Sequence, residues 1–234
     1  MIGVLELTEE KGRRPVLVQE RLGGLRCLRA AVPAARLGEN RVRRRVEKGA
    51  RALGRSGVRR VLTAADFPYW EELRRSGLRP VEVESFCQAL AVPLTLAALE
   101  RQRIPPGQAV VGLWGPRPSR PLLQAAERLC PRVRWLTVEA PGENGHLADW
   151  LWREFGAAIC PGGGRRPDVV LRFGPGGPEG EITLHLYGSR PDLAGLLPLP
   201  PAGVNGAGLD VLPVLALLWE AGYLDLQKIK ISST

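Results

Sequence analysis

The chain has 234 residues, 44% of them hydrophobic and 24% charged, and a formal net charge of +9. That size and mixture fit one large globular domain or two small ones, and exclude disordered and fibrous classes. The first ten residues turn acidic at once, without a basic leader, and the longest apolar run, Val211 to Trp219, is far short of the roughly twenty residues that span a bilayer. No membrane partner and a cytoplasmic location are therefore expected.

In chain order, Gly3 to Thr8 alternates as a strand, Lys11 to Pro15 supplies a turn, and Val16 to Glu20 runs back. Leu25 to Val32 adds a third strand after Gly23-Gly24. Asn40 stands as the N-cap of a helix in which Val42, Val46, Ala50 and Leu53 form an apolar stripe, with Arg43, Arg44, Glu47, Lys48 and Arg51 outside it. Gly54 and Gly57 end that helix. Arg59 to Ala65 reads as a strand, Phe67 to Ser76 as a short helix, Pro80 to Glu84 as a strand, and an apolar helix then runs to about Gln102.

Pro105-Pro106-Gly107 is the clearest break, so residues 1–105 are read as an N-terminal α/β region and residues 106–234 as a second domain. Ala109 to Trp114 is a strand, Gly115 to Arg120 a turn, Pro121 to Cys130 a helix, and Val133 to Glu139 a second strand. Asn144 caps a helix whose buried face is Leu147, Trp150, Leu151 and Phe155. Gly156 stops it, and Ala157 to Cys160 leads as a strand into the Pro161 to Gly164 loop. Val169 to Phe173 and Glu181 to Gly188 are further strands, followed by an irregular stretch to about Gly208. Val211 to Ala221 is a helix, and Gln227 to Ser232 an edge strand guarded by lysines.

The segment 109–139 is the βαβ unit from which nucleotide-binding sheets are built. The fold class expected is therefore α/β, a Rossmann-like doubly wound, mostly parallel sheet with a short antiparallel N-terminal strand region. Ligands of such sheets lie beyond the carboxyl ends of the strands, which collects Asp66, Glu84, the 115–120 turn, Glu139, Cys160 to Gly164, Gly174 to Gly177 and Tyr187 to Arg190. The turn ranks first. Gly112 and Gly115 allow close approach, and Ser119, Arg117 and Arg120 suit a phosphate at the positive end of the helix dipole. Pro116 and Pro118 donate no backbone hydrogen bonds, which weakens the cradle. A competing reading is that Gly115 serves only the tight turn and Pro121 only the helix start. Glu139, about twenty residues past the turn, stands where an acid would hold a ribose diol, which favours an NAD-type dinucleotide over a 2′-phosphorylated one. Gly162 to Gly164 with Arg165 and Arg166 is a second glycine loop, read as an exposed connection.

Other chemistry is sparse. The cysteines, Cys27, Cys87, Cys130 and Cys160, show no close ligand pair, so no metal site is expected and buried reduced thiols are. His146 is placed at a helix start, and His185 in mid-strand as a packed or hydrogen-bonded core residue rather than a catalyst. The nucleophile-elbow and P-loop motifs are both missing.

The charge is concentrated. Residues 41–60 hold eight Arg and one Lys against one Glu, so nearly the whole excess lies there. Arg43, Arg44, Lys48 and Arg51 would attract the phosphates of RNA or another polyanion, although a solvated helix face is the more frequent explanation of such a stretch, and no aromatic side chain interrupts it.

The order of parts over residues 59–188 resembles the two-domain Rossmann dehydrogenases of the shikimate dehydrogenase and methylenetetrahydrofolate dehydrogenase type. That resemblance implies an N-terminal α/β region leading into a dinucleotide-binding unit. The motifs depart from it: Gly112 to Ser119 replaces the glycine fingerprint, and residues 49–227 hold no lysine for a catalytic Lys–Asp pair. Three readings follow: a binder of a nucleotide or another small phosphorylated ligand at 115–120, a non-catalytic interaction protein that retains the fold, or a nucleic-acid binder through 41–60. Whether the protein is an enzyme, and its oligomeric state, stay open at this level.

Overall fold

The computed structural model describes residues 1–10, 12–141, 146–155, 166–204, 206 and 208–233. The elements run β1 (Ile2–Thr8), β2 (Val16–Leu22), β3 (Leu25–Pro33), α1 (Glu39–Arg55), β4 (Arg60–Leu62), α2 (Trp70–Arg75), β5 (Arg79–Pro80), α3 (Glu84–Ala89), α4 (Ala91–Arg101), β6 (Val110–Trp114), α5 (Arg120–Leu129), β7 (Trp135–Glu139), α6 (His146–Phe155), β8 (Val169–Arg172), β9 (Ile182–His185), β10 (Leu196–Leu199), α7 (Val211–Glu220) and β11 (Lys230–Ser233). The fold is α/β with mostly parallel sheets and a small antiparallel strand region. It divides into two compact units, Met1–Glu82 with Pro200–Asp225, and Val83–Leu199 with Leu226–Thr234.

The first unit carries a five-stranded sheet ordered β2-β3-β1-β4-β5. The expected hairpin between the first two strands does not form. β1 instead pairs β3 in parallel, while β2 pairs β3 antiparallel from the edge. The reason lies in burial: Val4 and Leu5 of β1 are both sealed from water, so β1 takes a central place, whereas Val16, Leu17 and Val18 of β2 are exposed. The turn at Gly23 and Gly24 has φ of 53° and 96°, the left-handed pair that a two-residue hairpin requires.

Helix α1 starts at Glu39, so its N-cap lies two residues before the anticipated Asn40. Gly38 is its N-cap, and the Gly38 carbonyl accepts from the amides of Arg41 and Val42. Its apolar stripe, Val42, Val46, Ala50 and Leu53, joins Leu5, Leu28, Ala30, Val32 and Val61 of the sheet in one core. Each valine or leucine of that core removed from water contributes about 1.5–3 kcal/mol before entropy is charged against it. Asp210 caps α7 through the Leu212 amide, and the Asp210 amide donates to the Thr63 carbonyl at 2.9 Å, which returns residues 200–225 to this unit.

The second unit holds a four-stranded sheet ordered β7-β6-β8-β9, every pair parallel, and a separate antiparallel pair of β10 and β11. β8 is buried along its whole length, as its unbroken Val-Val-Leu run requires of a parallel strand. Three expectations change here. The break at Pro105 does not divide the units, because α3 and α4 belong to the same unit as the sheet that follows, and the division falls after Glu82. The strand anticipated over 80–84 is only Arg79–Pro80, and Glu84 opens α3. The stretch read as irregular contains β10, in which Pro198 is tolerated because the strand has one neighbour only. The anticipated cap at Asn144, the helix stop at Gly156, the strand 157–160 and the 161–165 loop lie outside the described residues.

Candidate functional site

In the second unit the chain leaves β6 toward β7 on one side, and β8 continues to β9 on the other, so the strand order reverses between β6 and β8. The crevice of an open parallel sheet opens at the carboxyl ends of such a pair. Here those ends are Trp114 and Arg172, register partners on adjacent strands.

The 115–120 turn lies at that point. Gly115 is buried, and its amide donates to the Glu139 carbonyl at 3.1 Å. A Cβ on Gly115 would lie 2.8 Å from a Leu122 methyl and 3.2 Å from the Arg117 carbonyl, so any larger residue there would displace Leu122 and crowd the turn into α5. Ser119 is the N-cap of α5 by its extended backbone, yet its hydroxyl makes no capping hydrogen bond. Pro121 follows in the first turn, where it donates nothing to the helix ladder. Arg117 and Arg120 are exposed, and neither forms an ion pair among the described residues. Glu139 is exposed at the end of β7, beside the turn. Gly112 lies within β6, not in the turn; its missing side chain leaves room for Thr137, Val170 and Pro167.

The other wall of the crevice is the 173–181 connection, which joins β8 to β9 without a helix. A Cβ on Gly174 would lie 2.5 Å from the Pro116 ring, and one on Gly177 would overlap the Trp114 indole. Arg172, 8% exposed, donates to the carbonyls of Gly177 at 2.7 Å and Pro178 at 2.9 Å and pairs with Glu179 at 3.7 Å. The Nε and Nη2 donors of this buried guanidinium are committed to loop carbonyls, so it holds the loop. The arginine that interrupts the apolar strand in the sequence is thereby explained.

At the carboxyl end of β9, His185 Nδ1 lies 3.4 Å from the Tyr187 hydroxyl, and the two rings stand 5.8 Å apart. His185 is half-buried rather than packed in the core. Glu84 accepts from the Gly188 amide at 2.9 Å and from Gln88 at 3.1 Å. Asp66 belongs to the first unit and does not share this edge.

The three described thiols are buried. Burial pushes Cys87 from an ordinary 9.0 up to about 12, with Glu84 adding to the rise, and raises Cys27 and Cys130 as well. Among the described residues no group of three or more His, Cys, Asp or Glu is placed to hold a metal ion. No described helix is long and apolar enough to cross a membrane.

Of the four cations singled out on α1, Arg43 pairs with Glu39 at 3.6 Å and Glu72 at 3.3 Å, and Arg51 pairs with Glu47 at 2.5 Å. Arg44 and Lys48 are exposed and form no ion pair among the described residues.

No protein-family model matches the chain, and no curated protein matches it. Among solved structures it is similar to an L-tryptophan dehydrogenase from Nostoc punctiforme, with a TM-score of 0.32 and 14% identity over 73% of this chain and 55% of that one. It is also similar to a D-lactate dehydrogenase from Treponema pallidum, with a TM-score of 0.27 and 16% identity over 61% of this chain and 47% of that one. A shikimate 5-dehydrogenase-like protein gives a TM-score of 0.25 and 14% identity over 73% of this chain and 65% of that one. The chain spans about half the length of the first two. The neighbours are thus dehydrogenases or dehydrogenase-like by name, and the strand order described above defines this chain as an α/β protein with mostly parallel sheets.

Proposed function

We propose that the second unit binds a nucleotide or another small phosphorylated ligand at the carboxyl edge of its parallel sheet. The reading rests on one observation: the strand order reverses between β6 and β8, and the Gly115 turn, the uncapped start of α5 and Glu139 all stand at that reversal. The free first-turn amides and Ser119 meet the phosphate, Arg117 and Arg120 neutralise its charge, and Glu139 accepts from a ribose diol. A carboxylate in that place repels a 2′-phosphate, so an NAD-type ligand is preferred to its phosphorylated counterpart. No reaction is assigned.

Thermal shift followed by calorimetry with NAD, NADP, ADP and inorganic phosphate tests this. At a hundred times its dissociation constant a ligand adds about 2.7 kcal/mol to stability. NAD should raise Tm more than NADP, Glu139→Ala should remove that preference, and Arg117→Ala with Arg120→Ala should weaken binding about tenfold. Absence of any shift at millimolar nucleotide would sink the proposal. It would favour a non-catalytic interaction protein, for which the specific support is the 173–181 loop lying against Pro116 and Trp114 at the same edge.

A further inference from the structure

We infer that the outer face of α1 in the first unit is a binding surface for the phosphate backbone of a nucleic-acid duplex. The helix sorts its cations into two sets. Arg43 and Arg45 stand on the flanks and serve the fold, Arg43 through Glu39 and Glu72, and Arg45 by donating to the Pro33 carbonyl at 2.8 Å. Arg41, Arg44, Lys48, Arg51 and Arg55 are exposed. Their steps of three and four residues put all five within an arc of about 80° on the helix surface, opposite the stripe of Val42, Val46, Ala50 and Leu53 that enters the core. Only Arg51 has a carboxylate partner among the described residues, Glu47 one turn back. Arg41 and Arg55 extend the set read from sequence, and Arg43 leaves it.

The partner follows from shape and chemistry. The fourteen steps from Arg41 to Arg55 make the row about 21 Å long, with a cation every 5 Å or so. A duplex presents a phosphate about every 1.7 Å of its axis, both strands counted, so a row of this length laid against it meets more than enough phosphates for its five cations. Single-stranded nucleic acid is held chiefly by stacking its bases on aromatic side chains. α1 carries none, and the nearest aromatics are occupied: Phe67 is buried and meets Tyr69 and Trp70 edge to face at 5.7 and 6.0 Å. Insertion into a lipid surface needs an exposed apolar face, and that of α1 is spent on the core. The contact is to phosphates only, so it is independent of base sequence.

The test is fluorescence anisotropy of a labelled random-sequence 20-base-pair DNA duplex with the full chain, from 50 to 300 mM salt. Five phosphate contacts give a slope of log K against log salt of about −4.5. Arg44→Gln with Lys48→Gln should reduce that slope by about 2 and weaken binding at 100 mM salt more than tenfold. Both positions are exposed, so an unchanged melting curve shows that the fold is intact. Arg128→Gln, an exposed cation of α5 in the other unit, should change neither quantity. Failure to bind duplex at 50 mM salt overturns the inference, as does a slope untouched by the double substitution. Tighter binding to phosphatidylserine vesicles or to polyglutamate than to duplex overturns it too.

Discussion

At Gly177 the backbone φ is +90°, and the space for a side chain is taken by the Trp114 indole. Alanine there meets both a disfavoured conformation and an overlap, so Gly177→Ala should lower stability by about 2 kcal/mol, read from urea midpoints. In a Trp114→Ala background the overlap is gone, and the same substitution should cost only about 1 kcal/mol. Equal costs in both backgrounds would show that the ring does not fix the loop. Cys87 yields a pH prediction. Its thiol titrates near 9.0 when exposed in the unfolded chain and near 12 in the fold. Below pH 9 both states keep the proton and the contribution is constant. Above it the unfolded chain alone loses the proton, so stability falls as pH climbs from about 9 toward 12. Cys87→Ala should flatten that alkaline loss, measured by urea unfolding between pH 8 and 10.5. The wild-type thiol should also resist alkylation at pH 8 in the folded protein.

Among elements, the first sheet is tied across three strands by one cation. Arg29 on β3 reaches Glu6 on β1 and Glu20 on β2, the latter at 2.8 Å, and these two carboxylates raise its already high pKa. Removing the guanidinium leaves two carboxylates facing each other in a half-buried site. Arg29→Met should therefore cost about 1–3 kcal/mol by urea denaturation, despite keeping much of the apolar stem. The apolar stripe of α1, the strand β6, the helix α5 and the strand β7 were all legible from sequence, because periodicity and turn residues are local properties. β10 was not, since Leu-Leu-Pro-Leu carries no β-branched residue, and only its pairing with β11 makes it a strand. Pro80 to Glu84 and Val133 to Glu139 were both expected as strands, yet the second ends as a strand at Glu139 and the first turns into α3 at Glu84. The difference lies in what each segment pairs with.

Across the whole molecule, the first unit is built from two distant stretches of chain. Gly23 lies under Leu218 of α7, Gly24 under Tyr223, and Arg60 pairs with Glu220. Val214 to Leu218 are buried. A fragment ending at residue 82 loses that cover and should show no cooperative thermal transition by circular dichroism. A fragment in which 200–225 is rejoined through a flexible linker should regain one. A sharp transition in the shorter fragment would show that α7 is dispensable to this fold. The sequence by itself determined the α/β class, the βαβ unit with Glu139 at its end, and the basic character of α1, because each follows from patterns within about thirty residues. Only the tertiary structure decided that β1 lies inside the sheet, that Arg172 holds the 173–178 loop, that Glu72 from α2 engages Arg43 of α1, and that residues 200–225 close the first unit. Those outcomes depend on burial and pairing between segments far apart in sequence, and local pattern carries no information about partners at that distance.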